Sequence, residues 1–281
     1  MMPRVSVIIP TYNRIRFLEE AIRSVLNQTF RDFELIVIDD GSTDCTPHVL
    51  QRWGDQIRWM RQTNSGVSRA RNVGIRAARG RYLSFLDSDD LWLREKLEAQ
   101  VSFLDANPHY AVCYTDEVWI RRGRRVNPKE IHRKFSGWIF DRCLPLCIIS
   151  PSSAMMRREV IDTVGGFDED LPVCEDYDLW LRIASRFPIF FLDEKMIIKR
   201  GGHADQLSNR SWGNDRYRVL ALEKQLSRKD LSPHERRATL EMMERKSLIL
   251  ARGFLKRGKI EQGMKYSGLA ERYGQKKGDI A

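Results

Sequence analysis

The stretch Phe85-Leu86-Asp87-Ser88-Asp89-Asp90 decides the fold. The run before it, Arg81-Tyr82-Leu83-Ser84, carries the Tyr and Leu of a buried strand. Three carboxylates follow within four residues, just where the apolar signal stops. In an open α/β sheet, ligands bind at the carboxyl ends of the strands. Carboxylates this close repel one another, so a fold that keeps them together commonly supplies a cation. Hard oxygen ligands select Mg²⁺ or Mn²⁺, ions that also bridge phosphate oxygens. The same residues are compatible with a solvated turn in which Asp89 or Asp90 caps a following helix, so the rest of the chain must decide.

Upstream, Val5-Ser6-Val7-Ile8-Ile9 reads as a first strand and ends in the turn chemistry of Pro10-Thr11-Tyr12-Asn13. Phe17, Leu18, Ala21, Ile22, Val25 and Leu26 then recur at helical spacing. Phe33 to Ile38 reads as a second strand running into Asp39-Asp40-Gly41-Ser42, and Pro47 opens a second helix. Ile57 to Met60 is a short third strand, and a third helix runs from Ser65-Gly66 to Gly80. The strand before the acidic stretch is the fourth. A helix from Trp92 to Leu104 and a fifth strand, Tyr110 to Tyr114, follow it. Successive β-then-α units predict right-handed crossovers and an α/β fold, a Rossmann-like, mostly parallel sheet flanked by helices. Three strand ends with polar or acidic residues would gather on one edge and form a nucleotide-sized site.

Beyond Tyr114 the periodicity weakens at a basic loop, 121–134. Gly137 to Phe140 reads as a helix, Ser152 to Met156 as a strand, and Arg158 to Val164 as a helix closed by Gly165-Gly166. Glu175 to Arg182 opens another amphipathic helix, and Ile189 to Ile198 is strand-like. From Asp215 onward the chain reads as helical, with amphipathic segments at 240–256 and 260–272. The expected organisation is a domain over 1–207, with a nucleotide-binding half (1–118) and an acceptor and catalytic half (119–207). A basic helical C-terminal extension over 208–281 completes it. Trp92 and Trp180 lie inside the expected amphipathic helices and read as core residues rather than sugar platforms.

The bulk numbers agree with a globular protein: 281 residues, 42% hydrophobic and 31% charged, with no low-complexity tract. No apolar run is long enough to span a membrane, and the N-terminus enters a strand without a signal sequence, so the expectation is a cytosolic, soluble or peripheral protein. Five cysteines without paired spacing read as free thiols, which suits a reducing compartment. The net charge is +10 and unevenly placed: residues 205–281 hold 18 Lys and Arg against 10 Asp and Glu, a net +8. A second basic cluster is Arg121-Arg122-Gly123-Arg124-Arg125. Such surfaces attract anionic lipid, nucleic acid or phosphate-bearing substrates, although a solvated helix face explains charge alone equally well.

Six short motifs occur in order: Pro10-Thr11-Tyr12-Asn13-Arg14, Asp39-Asp40-Gly41-Ser42, Ala70-Arg71-Asn72-x-Gly74, Asp87-x-Asp89, Gly165-Gly166-Phe167-Asp168 and Glu175-Asp176. Together they resemble the family 2 glycosyltransferases, whose fold is the A-type glycosyltransferase fold, over about residues 4–207. The resemblance implies a transferase that moves a sugar from a nucleotide-diphosphate sugar, UDP foremost, onto a glycan or lipid-linked acceptor with inversion. It implies that Pro10, Thr11 and Tyr12 line the base and ribose, and that Asp39, or less readily Asp40, pairs with them. Arg71 would approach the base or a phosphate, and Asp87 would hold the ribose. Asp89 would hold a divalent metal, Mn²⁺ or Mg²⁺, with His203 a second candidate ligand. Asp176 would be the general base, with Glu175 the alternative, and Asp90 is left to cap the next helix. By the same resemblance the role is assembly of a cell-surface polysaccharide or lipid-linked glycan. The basic tail and the Arg121–Arg125 loop are the expected hold on anionic lipid or a lipid-diphosphate acceptor, which would make a cytoplasmic protein peripheral to the membrane.

Competing classes lack their signatures. No G-x-x-x-x-G-K-[ST] loop and no G-x-G-x-x-G fingerprint occurs, and the aspartates are not spaced as in an Asp-nucleophile phosphatase. The non-enzymatic alternative is an inactive transferase-like scaffold that uses its basic tail to bind nucleic acid or a membrane surface; the intact acidic set argues against it, and nucleic acid is not an expected partner.

Overall fold

A computed structural model describes residues 2–203 and 213–278. Its centre is one mixed sheet. The strands are β1 (Val5–Thr11), β2 (Phe33–Asp39), β3 (Arg58–Arg61), β4 (Tyr82–Phe85), β5 (Leu91–Trp92), β6 (Val112–Arg121), β7 (Arg124–Val126), β8 (Ala154–Arg157) and β9 (Ile189–Gly201). Their order is β3-β2-β1-β4-β8-β6-β9-β5, with β7 paired to β6. The β3-β2-β1-β4 half is parallel, joined by helical crossovers. Strand β8 runs antiparallel to both of its neighbours, and β6 and β9 run parallel to each other.

The helices are α1 (Ile15–Leu26), α2 (Thr46–Gln51), α3 (Val67–Ala77), α4 (Lys96–Ala106), α5 (Phe140–Cys143), α6 (Arg158–Val164), α7 (Glu175–Ala184), α8 (Asp215–Ser227), α9 (Pro233–Leu255) and α10 (Ile260–Gly278). Because helices cover both faces of the parallel half, its inner strands β1, β2 and β4 are largely buried on both sides rather than alternating. Val5, Val7 and Ile9 of β1 pack with Leu18, Ile22 and Val25 of α1, while Ile8 faces Ala70 and Ile75 of α3 on the other side. Gly74 lets α3 approach β1 closely, since a Cβ there would stand 2.4 Å from Ile8 Cγ2.

Four local expectations are corrected. Leu91–Trp92 is not the start of a helix but a short strand paired with Ile198 and Ile197 of β9, and the helix begins only at Lys96. Burial decides this: Trp92 is buried, and its indole N–H donates to the Ser152 carbonyl at 2.9 Å. Asp90 therefore caps no helix. It is buried, accepting from Ser152 Oγ at 2.8 Å and from the Arg200 backbone N–H at 3.0 Å, and so ties the β4 tip to β9. The fifth strand of the sequence reading continues to Arg121, because β9 pairs along its whole length, and part of the basic loop becomes the β6–β7 hairpin. Gly137 bridges Ile189, so the helix there is only Phe140–Cys143.

The C-terminal helices pack on the sheet domain. Leu222, Leu240, Met243 and Phe254 belong to the same apolar cluster as Tyr177, Trp180 and Leu181. Lys246 Nζ donates to the Pro145 carbonyl at 2.8 Å. Helix α9 starts at Pro233, earlier than its apolar period suggests, behind a capping box of Ser232 and Glu235. The expected boundary at 207/208 lies outside the described residues.

Lys96 is fully buried, donating to Gln100 Oε1 at 2.6 Å and Ser84 Oγ at 3.3 Å and lying over the Trp92 ring, with no carboxylate beside it. Burial lowers its ammonium to about 7. The unfolded chain then binds a proton that the folded chain releases between pH 7 and the ordinary lysine value, so stability rises with pH across that window. Lys96→Met is expected to stabilise the protein by about 1–2 kcal/mol at pH 7, with the advantage shrinking towards pH 10. Urea unfolding at both pH values checks it; a pH-independent loss of stability would refute it.

Candidate active site

Parallel pairing places the strand tips side by side. Thr11 is in register with Asp39, and β4 runs on β1's other edge, so Pro10 to Tyr12, Asp39 and Asp87 leave one edge of the sheet from adjacent strands. Pro10 and Thr11 are buried and Tyr12 is half-buried. Asn13 adopts φ 51°, and its Oδ1 accepts the Thr43 backbone N–H at 2.8 Å, locking the β1 loop to the β2 loop. Asp39 is fully buried; its Oδ1 accepts the Ser42 N–H at 2.9 Å, and Oδ2 lies 3.4 Å from Arg61 Nε. Asp40 has both oxygens engaged at the entrance to α3, by the N–H groups of Ser65 and Gly66, each at 2.8 Å, and by Gln62 at 2.7 Å.

Arg71 is neither on the surface nor reaching towards solvent. It is buried in α3, with one guanidinium nitrogen on Asp87 Oδ1 and another on Glu175 Oε1, each at 2.7 Å, and its carbon sits 4.9 Å from the centre of the Phe167 ring. Burial opposes its charge, but the two carboxylates outweigh burial and raise its affinity for the proton. This one side chain joins the β4 tip to the start of α7. The Ala-Arg-Asn-x-Gly and Gly-Gly-Phe-Asp motifs meet beside it: Asn72 donates to the Phe167 carbonyl and accepts the Phe167 N–H, both at 2.8 Å. Gly166 is required there, since a Cβ would stand 2.4 Å from Asn72 Oδ1.

At the other end of the acidic stretch, Asp89 Oδ2 lies 2.9 Å from His203 Nε2 and 3.2 Å from Arg14 Nη1. Burial and the neighbouring Asp87 raise Asp89 above the usual carboxylate value, against the pull of Arg14 and His203. Among the described residues no group of three His, Cys, Asp or Glu forms a metal cage. Mg²⁺ and Mn²⁺ bound with a nucleotide commonly take one or two protein ligands and complete their shell with phosphate oxygens and water. Asp89 and His203 suit that arrangement, because a cation would relieve the charge that burial and Asp87 disfavour.

Helix α7 opens at Cys174, which adopts φ 64°. Glu175 is buried and paired with Arg71; burial, then repulsion from Asp176, push it up to about 7. Asp176 is half-buried, with Oδ1 on the Tyr177 N–H at 2.7 Å and Oδ2 accepting the Cys147 thiol at 3.2 Å. Sequence reasoning did not give roles to Arg14 and Cys147. Arg14 stands inside the first motif, and adjacency to that motif was its only signal; Cys147 gave none.

The strand order, the acidic edge and the helical crossovers are those of an A-type glycosyltransferase fold. The crystal structure of S. aureus TarS 1-349 in complex with UDP-GlcNAc superimposes with a TM-score of 0.71 at 20% identity, covering 97% of this chain and 92% of that one. Residues 6–165 match the family model described as "Glycosyl transferase family 2", and the chain belongs to that family. An uncharacterized glycosyltransferase of Rickettsia felis is 37% identical over 197 residues, 69% of this chain but only 32% of that protein, so the chain spans about a third of that relative's length. An Escherichia coli relative named UDP-Glc:alpha-D-GlcNAc-diphosphoundecaprenol beta-1,3-glucosyltransferase is 31% identical over 190 residues, 66% of this chain and 72% of its own.

Removing Arg71 leaves the buried Glu175 and the half-buried Asp87 without their shared cation. Arg71→Met is expected to destabilise the fold by about 3–5 kcal/mol in urea unfolding. A loss below about 1 kcal/mol would show that the bridge is not structural.

Proposed function

We propose that this chain is an inverting glycosyltransferase that moves a sugar from a nucleotide-diphosphate sugar, a UDP-sugar foremost, to a glycan or lipid-linked acceptor. The observation that carries the proposal is the buried Asp87–Arg71–Glu175 bridge, which fixes the donor-side acids of β4 against the opening of α7, where Asp176 stands. Family membership, the UDP-Glc in the E. coli relative's name and the UDP-GlcNAc held by TarS support the donor class.

In this reading Pro10, Thr11 and Tyr12 receive the base and ribose, with Asp39 as their carboxylate partner and Asp87 on the ribose. Asp40 acts through the loop it holds in front of α3. Arg71 positions Asp87 and Glu175 rather than reaching a phosphate. Asp89 and His203 would hold the Mn²⁺ or Mg²⁺, which would supply positive charge to stabilise the departing diphosphate. The acceptor hydroxyl is far too weak an acid to ionise at pH 7, so a base must take its proton as its oxygen attacks the anomeric carbon. The new bond is acceptor oxygen to anomeric carbon, the broken one is anomeric carbon to phosphate oxygen, and the proton goes to the base. Asp176 suits this task better than Glu175, whose carboxylate is committed to Arg71. A lipid-linked acceptor fits a cytoplasmic enzyme peripheral to the membrane. Among the described residues no helix is long and apolar enough to cross one.

Two variants separate donor binding from proton transfer. Asp89→Ala is expected to abolish the Mn²⁺-dependent thermal stabilisation by UDP or GDP and to lower transfer by roughly 10²–10³-fold. Asp176→Asn should keep nucleoside-diphosphate affinity within about twofold while turnover falls by roughly 10²–10⁴-fold. Retained turnover in Asp176→Asn would remove it as the base. Tight binding of RNA or DNA by a wild type that binds no nucleoside diphosphate would instead favour the inactive-scaffold reading.

A further inference from the structure

The chain's least diluted run of positive charge is an arm at the site's edge. Residues 121–134 hold seven Lys and Arg against a single Glu130, a net +6. The basic tail interleaves its 18 cations with 10 acids, whereas the arm is almost undiluted. The arm is the β6–β7 hairpin turn and the segment that follows it, and Arg122, Arg124, Arg125, Lys129 and Arg133 are all exposed there. Among the described residues, no carboxylate pairs with Arg121, Arg122, Arg124, Arg125 or Lys129 at salt-bridge distance, and only Glu130 faces Arg133, at 3.7 Å.

Each end of the arm contacts a residue within two positions of one that touches a site carboxylate, Asp89 at one end and Asp176 at the other. At its tip, Arg121 pairs with Gly201, and the Arg122 N–H donates to the Gly201 carbonyl at 3.1 Å. Arg122 Cγ stands 3.1 Å from where a Cβ on Gly202 would be, and the next residue is His203, in contact with Asp89. At its base, Lys134 Nζ contacts the Ile148 carbonyl at 3.4 Å, beside Cys147, whose thiol is on Asp176. The arm therefore borders the cleft from the donor-side acid to the base.

Its root is a built platform rather than a floppy loop. Trp119 donates its indole N–H to Glu117 at 2.7 Å, with Arg121 4.8 Å from the ring centre on β6, Lys199 at 5.8 Å and the His132 ring at 4.9 Å. Glu117 is buried and faces Lys134 at 3.6 Å and Lys199 at 4.0 Å. That one carboxylate answers the two inner lysines and leaves the outer arginines uncompensated. Guanidinium forks match phosphate oxygens bidentately, and a cationic rim raises the local concentration of anionic ligands.

We infer that the 121–134 arm is the docking site for a phosphate-bearing acceptor, with its arginines gripping a lipid-linked diphosphate while the acceptor's sugar hydroxyl is presented to Asp176. The inference rests on the sugar-transfer reading and adds to it the chemical class of acceptor. The shared chemistry of donor and acceptor is a diphosphate, so the test must separate them.

Farnesyl diphosphate serves as a soluble prenyl-diphosphate probe, titrated against the full chain already saturated with UDP and Mn²⁺, with farnesol as the uncharged control. Wild type is expected to bind the diphosphate and not the alcohol. The variant Arg122→Glu/Arg124→Glu/Arg125→Glu should bind it at least tenfold more weakly while its UDP affinity stays within twofold. Because these side chains are exposed, circular dichroism and UDP binding should show that the variant is folded. Unchanged farnesyl diphosphate affinity in the variant would overturn the inference, as would equal loss of UDP binding, which would assign the arm to the donor. Lost adsorption to phosphatidylglycerol vesicles with intact farnesyl diphosphate binding would also overturn it, making the arm a membrane contact. A wild type that binds no nucleoside diphosphate at all would instead defeat the sugar-transfer reading itself.

Discussion

The arrangement depends on one buried guanidinium. Arg71 lies in a setting that disfavours charge, and it persists there because two carboxylates from distant parts of the chain converge on it. Glu175 alone at that depth would be costly, and so would the arginine; together, with the half-buried Asp87, they satisfy one another. The bridge spans 104 positions of sequence between Arg71 and Glu175, and so fixes the second half of the domain against the first. A flat, forked cation suits this because two of its nitrogens point in fixed directions, one at each carboxylate, whereas a lysine would present a single nitrogen on a flexible stem.

Around that bridge the short motifs become comprehensible as packing requirements. Asn72 and Gly166 are complementary surfaces of one contact, with the asparagine satisfying the Phe167 backbone and the glycine leaving it room. Asp40 closes the N–H groups ahead of α3, which keeps Arg71 at the right height. Asp90, too, is structural: it fastens the acidic turn to β9. In a dense row of acids, only some remain for a ligand, and the hydrogen-bond partners distinguish them. Asp89 keeps some exposure beside two basic side chains, whereas both oxygens of the buried Asp90 are engaged.

The charges divide in the same way. Cations inside the domain, such as Arg71, and Lys134 at the root of the β6–β7 arm face a carboxylate, while the arm's Arg122, Arg124 and Arg125 face solvent. Lys96 and Arg157 are exceptions, buried without an acid: Lys96 is held by neutral oxygens and an aromatic face, and Arg157 by the carbonyls of Leu104 and Tyr110. The inner pairs fix geometry, and the outer excess sets what approaches the cleft.

The sequence by itself determined the parallel half of the sheet, because the apolar runs of β1, β2 and β4 and the helical periods between them are local signals. It also placed Thr11, Asp39 and Asp87 at strand ends, since an acid or turn residue directly after an apolar run needs no tertiary information to be located. Only the folded chain decided that Leu91–Trp92 is a strand, because its partner, β9, lies more than 100 residues away. The same holds for the length of β6, whose polar half is stabilised by pairing rather than by its own pattern. Which carboxylates are committed and which are left open was likewise beyond the sequence. Glu175 and Asp176 are neighbours with the same chemistry, and they differ only in that Arg71, reaching over from α3, meets one of them and not the other.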